Sequence, residues 1–124
     1  DPKERALIAM WDRYMEFDGV MAVAEALRNW AKSMRGRALT GQTSYEQIPE
    51  LAERGRKRTK RFFADLEVRL CESEYIAGHR YSVADITALV AIDFASWLKI
   101  TIADDQDNLR RWYDMVTERR ACQV

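Results

Sequence analysis

Residues 75–86 read Tyr75-Ile76-Ala77-Gly78-His79-Arg80-Tyr81-Ser82-Val83-Ala84-Asp85-Ile86, and this stretch decides the fold. Ser82 is a residue type that caps a helix N-terminus. Asp85, three residues on, is an acidic variant of the capping box, returning a hydrogen bond to the N–H of the cap. Tyr81 just before the cap and Ile86 in the first turn are placed for a hydrophobic staple. Behind the cap, Ile86, Ala88, Leu89, Val90, Ala91, Ile92, Phe94, Ala95, Trp97 and Leu98 cover nearly every direction around a helix. A helix apolar all round is a buried one, so this is expected to be the central helix of the domain.

Upstream, Leu7, Met10, Tyr14, Phe17, Met21, Ala24, Leu27 and Ala31 recur at three- and four-residue steps. They predict one helix from about Pro2 to Met34, with Gly36 as its terminator. Ile8, Trp11 and Met15 form a second, adjacent stripe, so the apolar arc is wider than one packed neighbour needs. A second long helix is expected from about Ser44 to Glu74. It begins with a Ser44–Gln47 capping box, or slips to Ile48 because of Pro49. Its inward face is Ile48, Leu51 or Ala52, Gly55, Thr59, Phe62, Leu66 and Leu70. Gly55 costs about 1 kcal/mol against Ala in a helix, and close packing on the first helix would account for it. Downstream, the acidic turn Asp104 to Asp107 leads into a last helix to about Arg120, with Leu109, Trp112, Tyr113 and Val116 inward. Acids at its start and Arg119-Arg120 at its end complement the helix dipole. No segment alternates with period two, so the expected fold is an all-α bundle of about four to five helices in one domain, residues 1–124.

The chain has 124 residues, with 20 Lys plus Arg against 20 Asp plus Glu, and mean hydropathy of -0.44. A net charge of zero gives no global pull toward nucleic acid or a membrane, and neither is an expected partner. No apolar run approaches the length of a membrane span, and no signal segment is recognisable. The start at Asp1-Pro2 suggests a processed chain or a piece of something longer. Cys71 and Cys122 lack metal-ligand spacing and are expected as reduced thiols in the cytoplasm.

Few side chains suggest chemistry. His79 is the single histidine and reads as an exposed turn residue. Arg54, Lys57, Arg58 and Arg61 share one helix face that is able to grip phosphates. Glu50 and Glu53 precede Arg54 and Lys57 by four residues, and Asp65 follows Arg61, so an ion-paired, solvated face is the expectation. Asp93 reaches a rim, pairs with an arginine such as Arg13 or Arg28, or faces a ligand cavity; pairing is preferred because an isolated buried carboxylate is costly. Met10, Trp11, Tyr14 and Met15 near one helix start, with Phe94 and Trp97 near another helix end, would form an aromatic pocket if those helices pack antiparallel. Periodicity alone assigns them to plain core.

The block Tyr75 to Ile86, with Ser82, Asp85, Tyr81 and Ile86 in the capping positions, resembles the signature of the glutathione transferase C-terminal domain. Asn108-Leu109-x-x-Trp112-Tyr113 resembles the next helix of that family, and Tyr45 to Leu51 with the basic helix after it is similar to bacterial members. Many members carry Arg-Pro after the last helix where this chain has Arg120-Ala121. The resemblance implies a two-domain enzyme. Its thioredoxin-like N-terminal domain binds glutathione, the co-substrate, and supplies the thiol-activating residue. The helical domain lines the pocket for a hydrophobic electrophile and shares a homodimer interface. Nothing in this chain resembles the thioredoxin-like half, so no catalytic residue, metal or bound cofactor is assigned to it. The resemblance raises Met10, Trp11, Tyr14, Phe94 and Trp97 to candidate substrate contacts. The expected role is the electrophile-side domain of a cytoplasmic glutathione transferase, not catalytic alone. The alternative is a non-catalytic interaction or dimerisation module of the same fold.

Overall fold

The structure, a computed structural model, describes residues 1–122, and side-chain surroundings for residues 1–119. Helix α1 (Pro2–Tyr14) starts where Asp1 accepts the Lys3 N–H at 3.0 Å and Pro2 needs no donor. It runs into a π-helical segment (Met15–Val20) and then α2 (Met21–Trp30), so the first long helix is one rod with a widened turn. The rod ends at Ala31, whose backbone is extended, rather than at Gly36. Gln47 occupies that end: its Nε2 donates to the carbonyls of Arg28 at 3.0 Å and Ala31 at 2.6 Å. The Ile48 N–H donates to Asn29 Oδ1 at 3.0 Å. The expected Ser44–Gln47 capping box is therefore replaced, because Gln47 satisfies the carbonyls left open by α2. Helix α3 (Pro49–Glu72) begins with proline in its first turn and has no side-chain cap.

Helix α3 runs antiparallel to the rod, as Glu25–Arg54 and Tyr14–Asp65 contacts show. Gly55 sets the distance: a Cβ there would lie 2.5 Å from the Ala26 backbone nitrogen. Gly19 does the same in the π segment, where a Cβ would lie 2.5 Å from the ring of buried Phe62. The buried face of α3 is Ala52, Gly55, Thr59, Phe62, Phe63, Leu66 and Leu70. Ile48 is exposed and Phe63 is added to the expected set.

On the rod, the expected core stripe is displaced. Leu27 is buried as expected, but Leu7, Met10, Phe17 and Met21 are exposed, and Met15, Ala22, Val23 and Ala26 are buried instead. Leu7 and Met10 lie on α1, which has no buried residue; beyond it the π segment adds a residue to the turn, so the packed face of α2 does not continue the earlier stripe.

Helix α4 (Val83–Ala95) runs parallel to α1, since Glu4 pairs with Arg80 and Asp12 accepts the Thr87 hydroxyl. Its buried face is Ala84, Asp85, Ala88, Leu89, Ala91, Ile92 and Ala95. Val83, Ile86 and Val90 are exposed, so α4 is central but not covered on every side. The Ser82 hydroxyl accepts the Ala84 N–H at 3.3 Å, and Asp85 Oδ2 accepts the Ser82 N–H at 2.9 Å. Asp85 is fully buried, and its Oδ1 accepts the Ile76 N–H at 3.0 Å and the Trp112 indole N–H at 2.8 Å. One carboxylate thus joins the connector, the start of α4 and helix α5 (Asp107–Cys122). Tyr81 is held by Tyr75 at 6.1 Å between ring centroids and by the Arg119 guanidinium at 4.3 Å from its centroid, while Ile86 is exposed. Helix α5 starts over Glu67 of α3, which accepts the Leu109 N–H at 2.9 Å and the Asn108 side-chain amide at 2.7 Å. Cys71 is exposed. The side chains of Arg120 and Cys122 and the tail after them lie outside the described residues.

The basic face of α3 is ion-paired, but its main partner comes from across the seam. Glu25 of α2 accepts Arg54 through both oxygens at 2.8 and 2.9 Å, and Arg58 at 3.0 Å. Lys57 pairs with Glu53 at 3.5 Å and Arg61 with Asp65 at 3.0 Å. The hydrogen bond from Arg54 holds the Glu25 carboxyl below its ordinary pKa; burial opposes this, and the Arg58 charge reinforces it.

Three outcomes are expected. Gly55→Ala should lower stability by about 2 kcal/mol or more in urea unfolding, because the clash outweighs the helix-propensity gain. Asp85→Ala should cost about 3 kcal/mol or more, since it strands buried Ile76 and Trp112 N–H groups; a melting temperature equal to the parent's would contradict the placement. Glu25 has its folded pKa depressed, so its stabilisation is present above the unfolded carboxylate pKa and is lost as pH falls through the folded value. Glu25→Gln should therefore cost about 1 kcal/mol near neutral pH, and the gap should close in acid.

Candidate functional site

The sequence candidates fall into two groups that the fold keeps apart. Because α1 and α4 are parallel, the end of α4 does not meet the start of α1, and the antiparallel pocket is not formed. Phe94 and Trp97 lie instead at the end where the turn Ser96–Leu98 packs on α2.

The α1 group sits on the seam with α3. Trp11 and Tyr14, one turn apart, meet edge to face at 5.6 Å between centroids. The Arg69 guanidinium lies 4.4 Å from the Trp11 ring centroid, and its Nε donates to the Ile76 carbonyl at 2.9 Å. The Tyr14 hydroxyl donates to Asp65 Oδ2 at 3.4 Å. Burial raises the Tyr14 pKa, and the Asp65 and Asp18 charges raise it further. Tyr14 is therefore a neutral hydroxyl near pH 7, able to donate or accept a hydrogen bond but not to serve as a phenolate. Met10 stands exposed beside this group.

The second group, Phe94 on α4 and Trp97 in the turn after it, meets edge to face at 6.3 Å, with Trp97 70% exposed. Asp93 is exposed at the same end and accepts the Tyr113 hydroxyl at 2.7 Å. This hydrogen bond, then burial, raises the Tyr113 pKa. Asp93 thus reaches a rim. The preferred arginine pairing is not made: Arg28 donates to the Arg37 carbonyl, and Arg13 lies over the Phe17 ring. Val83, Ile86 and Val90 form an exposed apolar stripe along α4, which half-buried Phe94 and exposed Trp97 extend.

Sequence reasoning missed a groove of about 540 Å³ between α2, α3 and the loop that joins them. Phe17, Met21, Leu39 and Leu51 supply its apolar lining, and Arg28 with the Glu25–Arg54 pair its polar one. Leu39 is 60% exposed. No periodicity marks a loop leucine, so no local signal pointed there. Among the described residues no cluster of His, Cys, Asp and Glu is placed to hold a metal, and no helix is long and apolar enough to cross a membrane.

Comparison with known proteins gives this helical arrangement a family. The family model for "Glutathione S-transferase, C-terminal domain" matches residues 31–120. Glutathione S-transferase 2 of Saccharomyces cerevisiae is 36% identical over 50 residues, which is 40% of this chain and 22% of that protein. The crystal structure of a glutathione S-transferase domain-containing protein from Marinobacter aquaeolei VT8 superposes with a TM-score of 0.83 at 31% identity, covering 96% of this chain and 56% of that one. A Gtt2-class glutathione S-transferase of Vibrio parahaemolyticus gives 0.74 at 34% identity, over 92% of this chain and 50% of that one. Gtt2 of Saccharomyces cerevisiae, at 23% identity and a TM-score of 0.82, shares the fold over 94% of this chain and 53% of its own. The chain spans about half the length of these solved structures. It belongs to the glutathione S-transferase family, as the all-α C-terminal domain.

Proposed function

We propose that this chain is the electrophile-side domain of a glutathione transferase and is not catalytic alone. In the whole protein, a thioredoxin-like N-terminal domain would bind glutathione and activate its thiol. The thiolate would then form a carbon–sulfur bond to an apolar electrophile held on this domain. The observation that carries the reading is the family match over residues 31–120 in a chain half as long as its solved relatives. The apolar face of α4 supports it, since a second domain covering Val83, Ile86 and Val90 would remove that surface from water. Met10, Trp11 and Tyr14 on one side and Phe94 and Trp97 on the other are the proposed electrophile contacts. The parallel packing keeps the two groups apart, so they are proposed as separate contacts rather than one cluster. Aromatic surfaces of this kind accept an apolar body with little demand on its identity. We place the protein in the cytoplasm, where its thiols would remain reduced.

A second reading, a non-catalytic interaction or homodimerisation module, is favoured by the groove lined by exposed Phe17, Met21 and Leu39. The two readings separate on activity. Incubated with glutathione and a chlorinated dinitrobenzene, the chain alone should give no conjugation above the uncatalysed rate. The same chain joined to its upstream thioredoxin-like domain should give turnover, and Trp11→Ala there should raise the electrophile KM. Conjugation by the chain alone would overturn the first reading. An inert joined protein that sediments as a concentration-dependent dimer would favour the second.

A further inference from the structure

We propose that the end of the bundle bearing Trp30 and Trp97 docks on the surface of an anionic lipid bilayer. Three elements meet there. The Arg56 guanidinium of α3 lies 5.1 Å from the ring centroid of Trp30, at the end of α2. Its NH1 group also donates to the Leu98 carbonyl at 3.0 Å, in the turn after α4. Trp97 and Lys99 flank that carbonyl in sequence. Lys60, one helical turn beyond Arg56, lines a shallow cavity of about 350 Å³ together with Lys99, over Phe63 and Ile100. Lys32 follows Trp30 by two residues. Trp30 is 54% and Trp97 70% exposed.

The charges at this end differ from those on the neighbouring face of α3. Arg54, Lys57, Arg58 and Arg61 are all paired with carboxylates. Lys32, Arg56, Lys60 and Lys99 form no ion pair among the described residues. Asp104 and Asp105 lie past Ala103 on one flank and offset part of the charge. Lys99 adopts a left-handed conformation, φ 61°, which glycine or asparagine takes with less strain. Backbone preference therefore does not explain a lysine there.

An anionic bilayer fits these features. Tryptophan rings suit the headgroup level, where an apolar body and a wet N–H edge are both satisfied. Lysine and arginine stems cover apolar surface while their charged ends meet lipid phosphates and carboxylates. Single-stranded nucleic acid fits less well. It needs a channel that tracks the backbone and open ring faces for stacking. Here Arg56 already covers Trp30, which leaves Trp97 as the open ring at this end. The zero net charge of the chain argues against any general attraction to membranes, but attraction at a surface is decided by local charge within a Debye length.

The test is co-sedimentation of the chain with vesicles of phosphatidylcholine alone or containing about 30% phosphatidylserine, a level of anionic lipid that sustains a surface potential. Binding is expected to the serine-containing vesicles only, and should fall as salt is raised. The double variant Lys60→Glu/Lys99→Glu should bind at least about tenfold more weakly, from the usual contribution of each lysine near an anionic surface. Its melting temperature should match the parent's, because both side chains are exposed and unpaired. Trp97→Ser should weaken binding with a smaller change in salt dependence. Equal partition onto both vesicles, no partition, or parent-like binding by the double variant would overturn the proposal. So would binding to a single-stranded oligothymidylate that excludes vesicles. Loss of binding when the upstream domain is attached would assign this end to a domain interface and also overturn it.

Discussion

A buried carboxylate that receives three N–H groups from three segments holds this bundle together. Asp85 accepts the Ser82 N–H within its own helix, the Ile76 N–H from the connector and the Trp112 indole from α5. Burying a charge costs free energy unless donors replace the lost water, and here they do. Each donor also gains a partner that apolar surroundings would not offer. Helix α4 therefore starts at one residue, the connector closes over it, and α5 crosses at one height. The rest of the packing follows from that alignment: α1 lies alongside α4, and α3 closes on the rod with Gly55 against Ala26 and Phe62 against Gly19.

The local half of this arrangement is legible in the chain. Ser82 and Asp85 stand three residues apart ahead of an apolar run, and only a helix start uses that spacing well. Gly55 inside a strongly helical pattern implies a close neighbour, and Ala26 is that neighbour. The long-range half leaves no such mark. Trp112 reads as one more residue of an inward stripe, yet its indole is a donor to Asp85. Glu25 is 29 residues from Arg54, and nothing in spacing selects it over the nearer Glu50. Gln47 fits a capping box on paper but serves the end of the preceding helix. Ile86 and Val90 read as core because hydrophobicity does not tell a surface covered within the chain from one left for another body. The candidate contacts Trp11, Tyr14, Phe94 and Trp97 were legible as residues, but their grouping depended on helix direction, which periodicity does not encode.

Neutrality of the whole chain conceals a division of labour among its cations. Those on the exposed face of α3 are taken up by carboxylates, Arg54 and Arg58 across to Glu25 of α2 and Lys57 and Arg61 within α3. Those near Trp30 and Trp97 are not, and they accompany the most exposed aromatic surface in the described residues. The apolar face of α4 is different again, being apolar along its length and flanked by Thr87 and Asp93. One bundle thus presents surfaces of distinct chemistry to whatever adjoins it.

The π segment Met15–Val20 has a consequence for how this chain tolerates changes in length. A widened turn holds about one residue more than an α-turn, so the rod beyond it is rotated relative to a continuous α-helix. Deleting one residue from this segment would restore an uninterrupted helical ladder and improve the local hydrogen bonding. It would also swing Ala22, Val23 and Ala26 by about 100° away from α3, taking the backbone of Ala26 off Gly55. Length in this segment therefore acts as a phase setting: the less regular helix is the one that fits the bundle.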